Sequence, residues 1–195
     1  MPGTVGLLLA AGMSARFGRN KLLQRLSDGR RVAEAAAANL LEALPLSLAV
    51  IRPGDDELAA ILRSLGIGIV ACPTAQLGMG HSLAYGVAQS TEADGWVIAL
   101  ADMPYVRSDT LRRIVLGLHT GAAMVAPYYA GRRGHPVAFG SGSLNDLLTL
   151  NGDVGARRIV QRHLDKIYRI AVDDPGILRD IDTPADLDQS LLSPA

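Results

Sequence analysis

The chain has 195 residues, which is the usual length of one domain with a buried core. Its 19 Lys and Arg balance its 19 Asp and Glu, so the formal net charge is +0. This balance excludes the broad basic surface of a nucleic-acid-binding or membrane-surface protein. An anionic partner would have to be held by a few placed side chains and backbone amides.

The cysteine content, the histidine spacing and the hydropathy of the chain argue against three features: a disulfide framework, a structural zinc site, and a membrane span or signal peptide. The single cysteine, Cys72, rules out an internal disulfide framework and fits a reducing compartment. The four histidines lack the spacing of a structural zinc site. The apolar run from Val5 to Ala11 is too short to span a bilayer, and no Lys or Arg precedes it as in a signal peptide. We therefore expect a cytoplasmic protein that binds neither nucleic acid nor membranes.

Short apolar strands and helices alternate from residue 5 to residue 126. The continuous apolar run from Val5 to Ala10 predicts a central parallel strand that is covered on both faces, and a glycine-bearing loop follows it. Such alternation is typical of a parallel α/β sheet with helices on both sides. In chain order the later predicted elements are helix 32–44, strand 46–51, helix 55–65, strand 67–72, helix 82–89, strand 96–100, helix 108–118 and strand 122–126.

The pattern changes beyond residue 127. Residues 136–139 predict a strand outside the alternation, which we expect to be antiparallel, and helices are predicted at 144–150 and 155–164. Thr183 and Pro184 predict the start of a last helix, because threonine caps helices and proline suits the first helical position. The expected fold is a Rossmann-like three-layer α/β sandwich with a mostly parallel sheet and one antiparallel strand, formed by residues 1–195 as a single domain.

The loop that leaves the first strand has the composition of a polyphosphate-binding loop. In a parallel α/β sheet, ligands bind beyond the carboxyl ends of the strands, where this loop must lie. It is not a Walker loop, because Phe17 occupies the place of the second glycine, and it lacks the dinucleotide fingerprint GxGxxG. The alternative is a surface connector with scattered basic residues. Its candidate phosphate ligands are two glycines, a hydroxyl and two cations: Gly12, Gly18, Ser14, Arg16 and Lys21.

The string LAAGMSARFGRNK, from Leu9 to Lys21, resembles the signature of the MobA-like nucleotidyltransferases. These include the molybdenum cofactor cytidylyltransferases and guanylyltransferases, and the sugar-phosphate nucleotidyltransferases are similar. Further matching strings are GMGHSL, ADMP, GHPV, GDVGAR and DIDTP, which begin at residues 78, 101, 134, 152 and 180. GHPV and GDVGAR, with Ala11 in place of a second glycine, resemble the cytidylyltransferase branch that makes molybdopterin cytosine dinucleotide. The resemblance implies a nucleotide-diphospho-sugar transferase-like fold.

Two acidic residues are candidate ligands for Mg²⁺. Asp102 follows the predicted strand 96–100 on the ligand side of the sheet, and Mg²⁺ is usually held by one or two carboxylates together with substrate phosphates. An alternative is that Asp102 only caps the next helix or turn. Asp182 resembles the family's second acidic position near the metal, although Asp before Thr-Pro is also the pattern of an ordinary helix start. Asp180 is then expected to be structural.

The segment 73–82 is the candidate loop for base and ribose, because its glycines let a nucleobase lie against the backbone. The alternative is a plain helix start capped by Ser82. In relatives the matching segment holds base and ribose. The full set of predicted nucleotide-binding residues is Leu9, Ala10, Ala11, Gly12, Ser14, Arg16, Lys21, Gln76, Gly78, Gly80 and Ser82.

Two later strings are the candidates for the acceptor side: His135 with Pro136, and Asp153 with Arg157. Asp153 is expected to cap a helix that starts near Gly155, which would leave free amides and Arg157 available for a phosphate. Arg157 could instead be a solvated helix residue. Arg132 and Arg133 are plausible but unspecific surface cations on the same side.

The resemblance implies the transfer of CMP from CTP to the terminal phosphate of molybdopterin, with Arg16, Lys21 and Asp102 as catalytic residues and Mg²⁺ as cofactor. Because the acceptor phosphate is itself a nucleophile, the absence of a Ser-His-Asp or Cys-His arrangement fits this chemistry. A guanylyltransferase or a sugar-phosphate nucleotidyltransferase of the same fold is the nearest alternative. A different alternative is a non-catalytic carrier of the cofactor, and a molybdenum hydroxylase is a further candidate partner as client protein.

Overall fold

The computed structural model describes residues 3–12, 17 and 20–187. In this part of the chain, eight strands form one mixed sheet. The strands are β1 Thr4–Leu9, β2 Ser47–Ile51, β3 Gly68–Ala71, β4 Gly95–Leu100, β5 Met124–Tyr129, β6 Arg132–Arg133, β7 Val137–Gly140 and β8 Ile167–Ala171. The α-helices are α1 Val32–Ala43, α2 Asp56–Ser64, α3 Met79–Ala88, α4 Ser108–His119, α5 Leu144–Leu148 and α6 Arg157–Arg162.

The sheet is mostly parallel, as expected. Strands β3, β2, β1 and β4 lie side by side and parallel, and β8 is parallel to β5. Strand β7 is antiparallel to both of its neighbours, β4 and β5. The predicted antiparallel strand at 136–139 is therefore confirmed. The two-residue strand β6 adds a second, very short antiparallel pairing with β5.

Two apolar layers, one on each face of the sheet, make up the core. Successive residues of β1 alternate between them: Leu8 packs with the layer under α1, α2 and α4, whereas Leu7 and Leu9 pack with the layer under α3 and α5. This two-sided burial explains why β1 is a continuous apolar run. Full burial of a side chain such as Leu8 stabilises the fold by about 1.5–3 kcal/mol.

Strands β6 and β8 were absent from the sequence-based prediction. In β8 the buried residues are Ile167 and Ile170, three positions apart, while Tyr168, Arg169 and Ala171 are exposed. A strand of this kind lacks the period of two by which strands are recognised. The missing strand β8 lies beside β5, outside the part of the sheet that builds the site.

Two predicted helix starts are shifted, and a third predicted helix is only partly described. Helix α3 begins at Met79 rather than at residue 82, so Ser82 lies inside the helix and is not its cap. Helix α6 begins at Arg157 rather than near 155. Residues Pro184–Leu187 form a 3-10 turn, and the continuation of the predicted last helix lies outside the described residues.

The segment after β8 is fastened to the rest of the fold by a buried carboxylate. Asp174 accepts hydrogen bonds from the backbone N of Arg107 at 2.9 Å, from Thr110 Oγ1 at 2.7 Å and from the backbone N of Gly176 at 3.0 Å. Further along, the backbone N of Ile181 donates to the carbonyl oxygen of Asp102 at 2.8 Å. These bonds bring residues 180–182 to the carboxyl end of β4.

Within the described ranges, none of the helices combines the length and the apolar character needed to cross a membrane.

Candidate active site

The carboxyl ends of β1 and β4 form the floor of a cleft. The two strands are paired in parallel with Leu9 opposite Leu100, and the backbone N of Ala101 donates to the carbonyl oxygen of Leu9 at 3.1 Å. The chain therefore leaves both strands at the same edge of the sheet, which is the position where open α/β sheets bind their ligands.

A short 3-10 turn, Lys21–Leu23, holds Lys21 over this floor. The turn is fixed at its start by Asn20, whose Oδ1 accepts from the backbone N of Leu22 at 3.1 Å, and by burial of the Leu22 side chain. Lys21 Nζ donates to Asp102 Oδ2 at 2.8 Å and to Asp182 Oδ1 at 3.0 Å. Three residues from distant parts of the sequence thus meet at one point of the rim.

The two carboxylates hold Lys21 in its charged form. Burial by itself would lower the pKa of this lysine, but hydrogen bonds and Coulombic attraction from Asp102 and then from Asp182 outweigh it, so the pKa lies above its ordinary value of 10.5. The side chains are 13%, 22% and 35% exposed for Lys21, Asp102 and Asp182. The cluster is therefore partly shielded from solvent and remains reachable by a ligand.

The same place has the oxygen donors of a divalent-cation site. Asp102, Asp180 and Asp182 each offer an oxygen, and these three atoms lie within 4.8 Å of one another. Carboxylate oxygens are the ligands that Mg²⁺ prefers, and the ammonium group of Lys21 demonstrates that a cation fits between two of them. The donor set fits a small divalent ion held by carboxylates.

Asp180 was expected to be structural, and the structure brings its carboxylate into the acidic cluster. A signal for this is present in the sequence: Asp180 and Asp182 flank Ile181, which is 1% exposed and packs into the core. Two acids on either side of a buried residue can reach the same side of the chain.

A cavity of about 420 Å³ adjoins Lys21 and Asp102. Of the predicted nucleotide-binding residues, seven line it: Leu9, Ala11, Gly12, Lys21, Gln76, Gly78 and Ser82. Ala10 lies instead in the core, and Gly80 packs against the loop that precedes α6, where a Cβ atom would come within 2.5 Å of the carbonyl oxygen of Asn151. Ser14 and Arg16 lie outside the described residues.

A second cavity, of about 550 Å³, lies next to the first. It shares four lining residues with its neighbour: Leu9, Met79, Leu100 and Asp153. His135 and Arg157, two predicted acceptor residues, line it together with Arg133, one of the two cations that the sequence offers as plausible but unspecific. Pro136 is buried and does not line this cavity. Its apolar wall is built by Leu83, Ile98, Val137, Phe139, Val154, Ala156 and Val160.

His135 lines this second cavity and is exposed as a residue, while nearby protein atoms still desolvate its imidazole ring. This desolvation, followed by repulsion from Arg133, lowers the pKa of His135 below its ordinary value of 6.5, while Asp102 and Asp180 oppose the shift. The ring is therefore neutral at neutral pH and can both donate and accept a hydrogen bond.

Asp153 does not have the capping role that the sequence predicted. Helix α6 begins at Arg157 after Ala156, and no side chain caps it. Asp153 lies three residues before that cap position, and its Oδ1 lies 2.5 Å from the place that a Cβ atom on Gly78 would take. The Asp153 carboxylate lies between the two cavities and does not cap α6. The capped helix start that was expected to offer free amides to a phosphate is therefore not present.

Gly78 is the position in the cleft where an added methyl group has the largest steric effect. Its φ is +118°, and a Cβ atom would lie 2.4 Å from the backbone carbonyl of Gly152. We expect Gly78→Ala to push segments 75–79 and 151–153 apart and to weaken binding of the nucleotide that the sequence predicts for this cavity about tenfold or more, measured by calorimetry as the Kd of a nucleoside triphosphate. Gly66→Ala is the matched control, because Gly66 also has a positive φ of +90° but has no atom within 4 Å of the added Cβ. An unchanged Kd in Gly78→Ala would contradict this.

A model of the MobA-like NTP transferase domain matches residues 6–167. The chain is 32% identical over 201 residues to the purine catabolism protein PucB of Bacillus subtilis, which covers 96% of this chain and 95% of that protein. It is 27% identical over 191 residues to the nicotine blue oxidoreductase of Paenarthrobacter nicotinovorans, with 94% of each chain covered.

The fold is similar to that of Rv0371c from Mycobacterium tuberculosis H37Rv. One crystal structure of that protein superposes with a TM-score of 0.81 at 28% identity and covers 95% of both chains. A second crystal structure of it, in complex with manganese, superposes with a TM-score of 0.72 at 26% identity and covers 96% of this chain and 94% of that one.

Proposed function

The chain belongs to the MobA-like NTP transferase domain family and is a nucleotidyltransferase of that family, and from this premise we propose that it transfers CMP from CTP to the terminal phosphate of molybdopterin. The products are molybdopterin cytosine dinucleotide and pyrophosphate. The strings GHPV at residue 134 and GDVGAR at residue 152 support the cytidylyltransferase branch.

One observation carries the proposal: Lys21, Asp102 and Asp182 converge at the edge of the sheet where two cavities adjoin. The first cavity is lined by Gly12, Gly78 and Lys21, which suit a triphosphate. The second cavity has an apolar interior with the side chains of Arg133, His135 and Arg157. Because the two cavities share a wall, both substrates can be bound at the same time with their phosphates next to each other.

In the proposed reaction an oxygen of the acceptor phosphate attacks the α-phosphorus of CTP. The new bond is the P–O–P link of the dinucleotide, and the bond between the α-phosphorus and its bridging oxygen to the β-phosphorus breaks, so the electron pair leaves with pyrophosphate. Lys21, together with Arg16, would stabilise the charge on the leaving pyrophosphate. Gly12 would let the phosphates approach the backbone closely.

The acidic cluster would hold Mg²⁺ through Asp102 and Asp182. The ion supplies neutralisation of charge on the reacting phosphates when it is bound. A manganese complex is known for the similar protein Rv0371c, which supports a divalent cation in this fold. The choice of Mg²⁺ rests on its preference for oxygen ligands and triphosphates.

The second cavity favours an acceptor with a flat ring system, whose faces can lie against apolar side chains, and an anionic end. Val137, Phe139 and Val160 would contact the body, while His135, Arg133 and Arg157 offer hydrogen-bond donors to a phosphate. A hexose phosphate fits this wall less well, because its ring is surrounded by hydroxyl groups and has no flat π-face to lie against aliphatic and aromatic carbon.

We expect Arg157→Ala to raise the KM for the acceptor about tenfold and to leave kcat nearly unchanged. The guanidinium would contact the acceptor phosphate in the ground state and in the transition state alike, so its loss removes uniform binding. Arg158→Ala is the matched control, because Arg158 is the next residue of the same helix and does not line the second cavity. The check is steady-state kinetics with varied acceptor, and equal effects of the two substitutions would refute the assignment.

The decisive experiment offers the protein molybdenum-bound molybdopterin, Mg²⁺ and each nucleoside triphosphate in turn, with a hexose phosphate as a second acceptor. We expect pyrophosphate and dinucleotide with CTP and molybdopterin only. Product with GTP would favour the guanylyltransferase, product with the hexose phosphate the sugar-phosphate enzyme, and tight binding without pyrophosphate the carrier.

One relative is named an oxidoreductase, so a further arm measures oxidation of NADH and NADPH. We expect none above background, since the loop after β1 lacks the dinucleotide fingerprint GxGxxG.

Three broader statements belong to the same proposal. Residues 1–195 act as a single domain, the reaction takes place in the cytoplasm, and the product passes to a molybdenum hydroxylase as client protein. The last statement is tested by purifying such an enzyme and asking whether the dinucleotide product comes with it. We expect the product to be present only when this chain is also present.

A further inference from the structure

Lys21 stands where a divalent cation would stand. Its ammonium nitrogen lies 2.8 Å from Asp102 Oδ2 and 3.0 Å from Asp182 Oδ1, and these carboxylates belong to the acidic cluster whose oxygens lie within 4.8 Å of one another. An ion held by the same two carboxylates would need the space between them, because metal–oxygen distances are shorter than these ammonium–oxygen distances. The ammonium group and the ion cannot both occupy that space.

Charge leads to the same conclusion. Lys21 neutralises part of the negative charge that would attract a cation, and a cation arriving beside it would be repelled by the positive charge of the lysine. Because the side chains of Lys21 and Asp102 are only 13% and 22% exposed, solvent screens this repulsion incompletely. The acidic cluster is therefore a poor cation site as long as Lys21 stays in it.

The 3-10 turn Lys21–Leu23 lies beside the first cavity, and Lys21 itself lines that cavity. A polyphosphate bound in this cavity presents further negative charge to the ammonium group, next to that of Asp102, which also lines the cavity. It offers Lys21 new oxygen partners and at the same time brings ligand oxygens for the cation.

We propose that in the nucleotide-free protein Lys21 holds the cation position between Asp102 and Asp182, so that a divalent ion binds only together with a polyphosphate that draws Lys21 away. This inference rests on the proposed function for the identity of the polyphosphate, but not for the competition between Lys21 and the ion. It makes Lys21 a determinant of binding order in addition to its proposed contact with the leaving group.

The test measures Mn²⁺ binding to the nucleotide-free protein by electron paramagnetic resonance and calorimetry. Lys21→Met is expected to bind Mn²⁺ at least tenfold more tightly than the wild type, and Lys21→Gln is expected to do so as well. Lys166→Met, which changes the other lysine of the chain at an exposed position, is expected to bind as the wild type does. Thermal unfolding with and without Mn²⁺ reports the same differences and verifies that each variant is folded.

Adding Asp102→Asn to Lys21→Met locates the bound ion. The double variant is expected to lose the gain in Mn²⁺ affinity. Equal Kd values for the wild type and Lys21→Met, or a gain that survives Asp102→Asn, would overturn the proposal.

The two proposals fail separately. If no acceptor yields a dinucleotide but Lys21→Met still tightens Mn²⁺ binding, the proposed function fails and this inference stands. An active cytidylyltransferase in which the two Kd values agree removes this inference alone.

Discussion

Asp102→Asn is expected to lower kcat for pyrophosphate release by roughly a thousandfold, which corresponds to about 4 kcal/mol of transition-state stabilisation. The substitution keeps the shape of the side chain and removes the negative charge that would anchor Mg²⁺ at the end of β4. Because the side chain is 22% exposed at the rim of the sheet, the fold should tolerate the change.

Two measurements separate a catalytic defect from a folding defect in Asp102→Asn. Urea unfolding should give a free energy within about 1 kcal/mol of the wild type, as is usual for substitutions at a partly exposed position. Asp165→Asn, at an exposed position after α6, should leave kcat unchanged. A near-normal kcat in Asp102→Asn would remove the residue from the proposed machinery.

Lys21→Ala is expected to lower kcat by roughly a hundredfold or more, since it removes the cation that would stabilise the leaving pyrophosphate. The raised pKa of Lys21 means that the group is fully charged at any pH used in the assay, so the loss should not depend on pH between 6 and about 9. The measurement is single-turnover formation of dinucleotide at saturating CTP.

Lys166→Ala is the control for Lys21→Ala, because it removes the same side chain from an exposed site. Raising the Mg²⁺ concentration should not restore the rate of Lys21→Ala, since the missing contact is to phosphate. A full recovery at high Mg²⁺ would show that Lys21 acts only through the metal site and would contradict its direct role.

The central part of the sheet could be predicted because its strands are buried on both faces. The apolar run of β1 and the helices that follow β1, β2 and β3 gave clear local patterns, and the antiparallel strand at β7 interrupted the alternation. Strand β8 could not be recognised, because its buried residues 167 and 170 are not two apart. Its position is decided by pairing with β5, which no local pattern reveals.

The residues of the site could be predicted where several of them lie close together in the sequence. They were missed where residues from distant parts of the chain meet. Seven residues of the predicted nucleotide set line the first cavity. The bond between Lys21 and Asp182 joins residues 161 apart, and only the fold could reveal it. The sequence offers Arg133 only as an unspecific cation and Asp180 as a structural residue, whereas the structure places Arg133 at the second cavity and Asp180 in the acidic cluster. A side chain's exposure to a cavity depends on packing that single-sequence patterns do not contain.

The hydrogen bond from the backbone N of Ile181 to the carbonyl oxygen of Asp102 affects when the site can form during synthesis on the ribosome. Lys21 and Asp102 emerge from the exit tunnel well before Asp182, and contacts over such separations form late because the intervening chain must first be ordered. A growing polypeptide that has not yet reached residue 182 lacks the second carboxylate at the rim. The acidic cluster is thus completed only after residue 182 has left the exit tunnel and the segment held by Asp174 has docked.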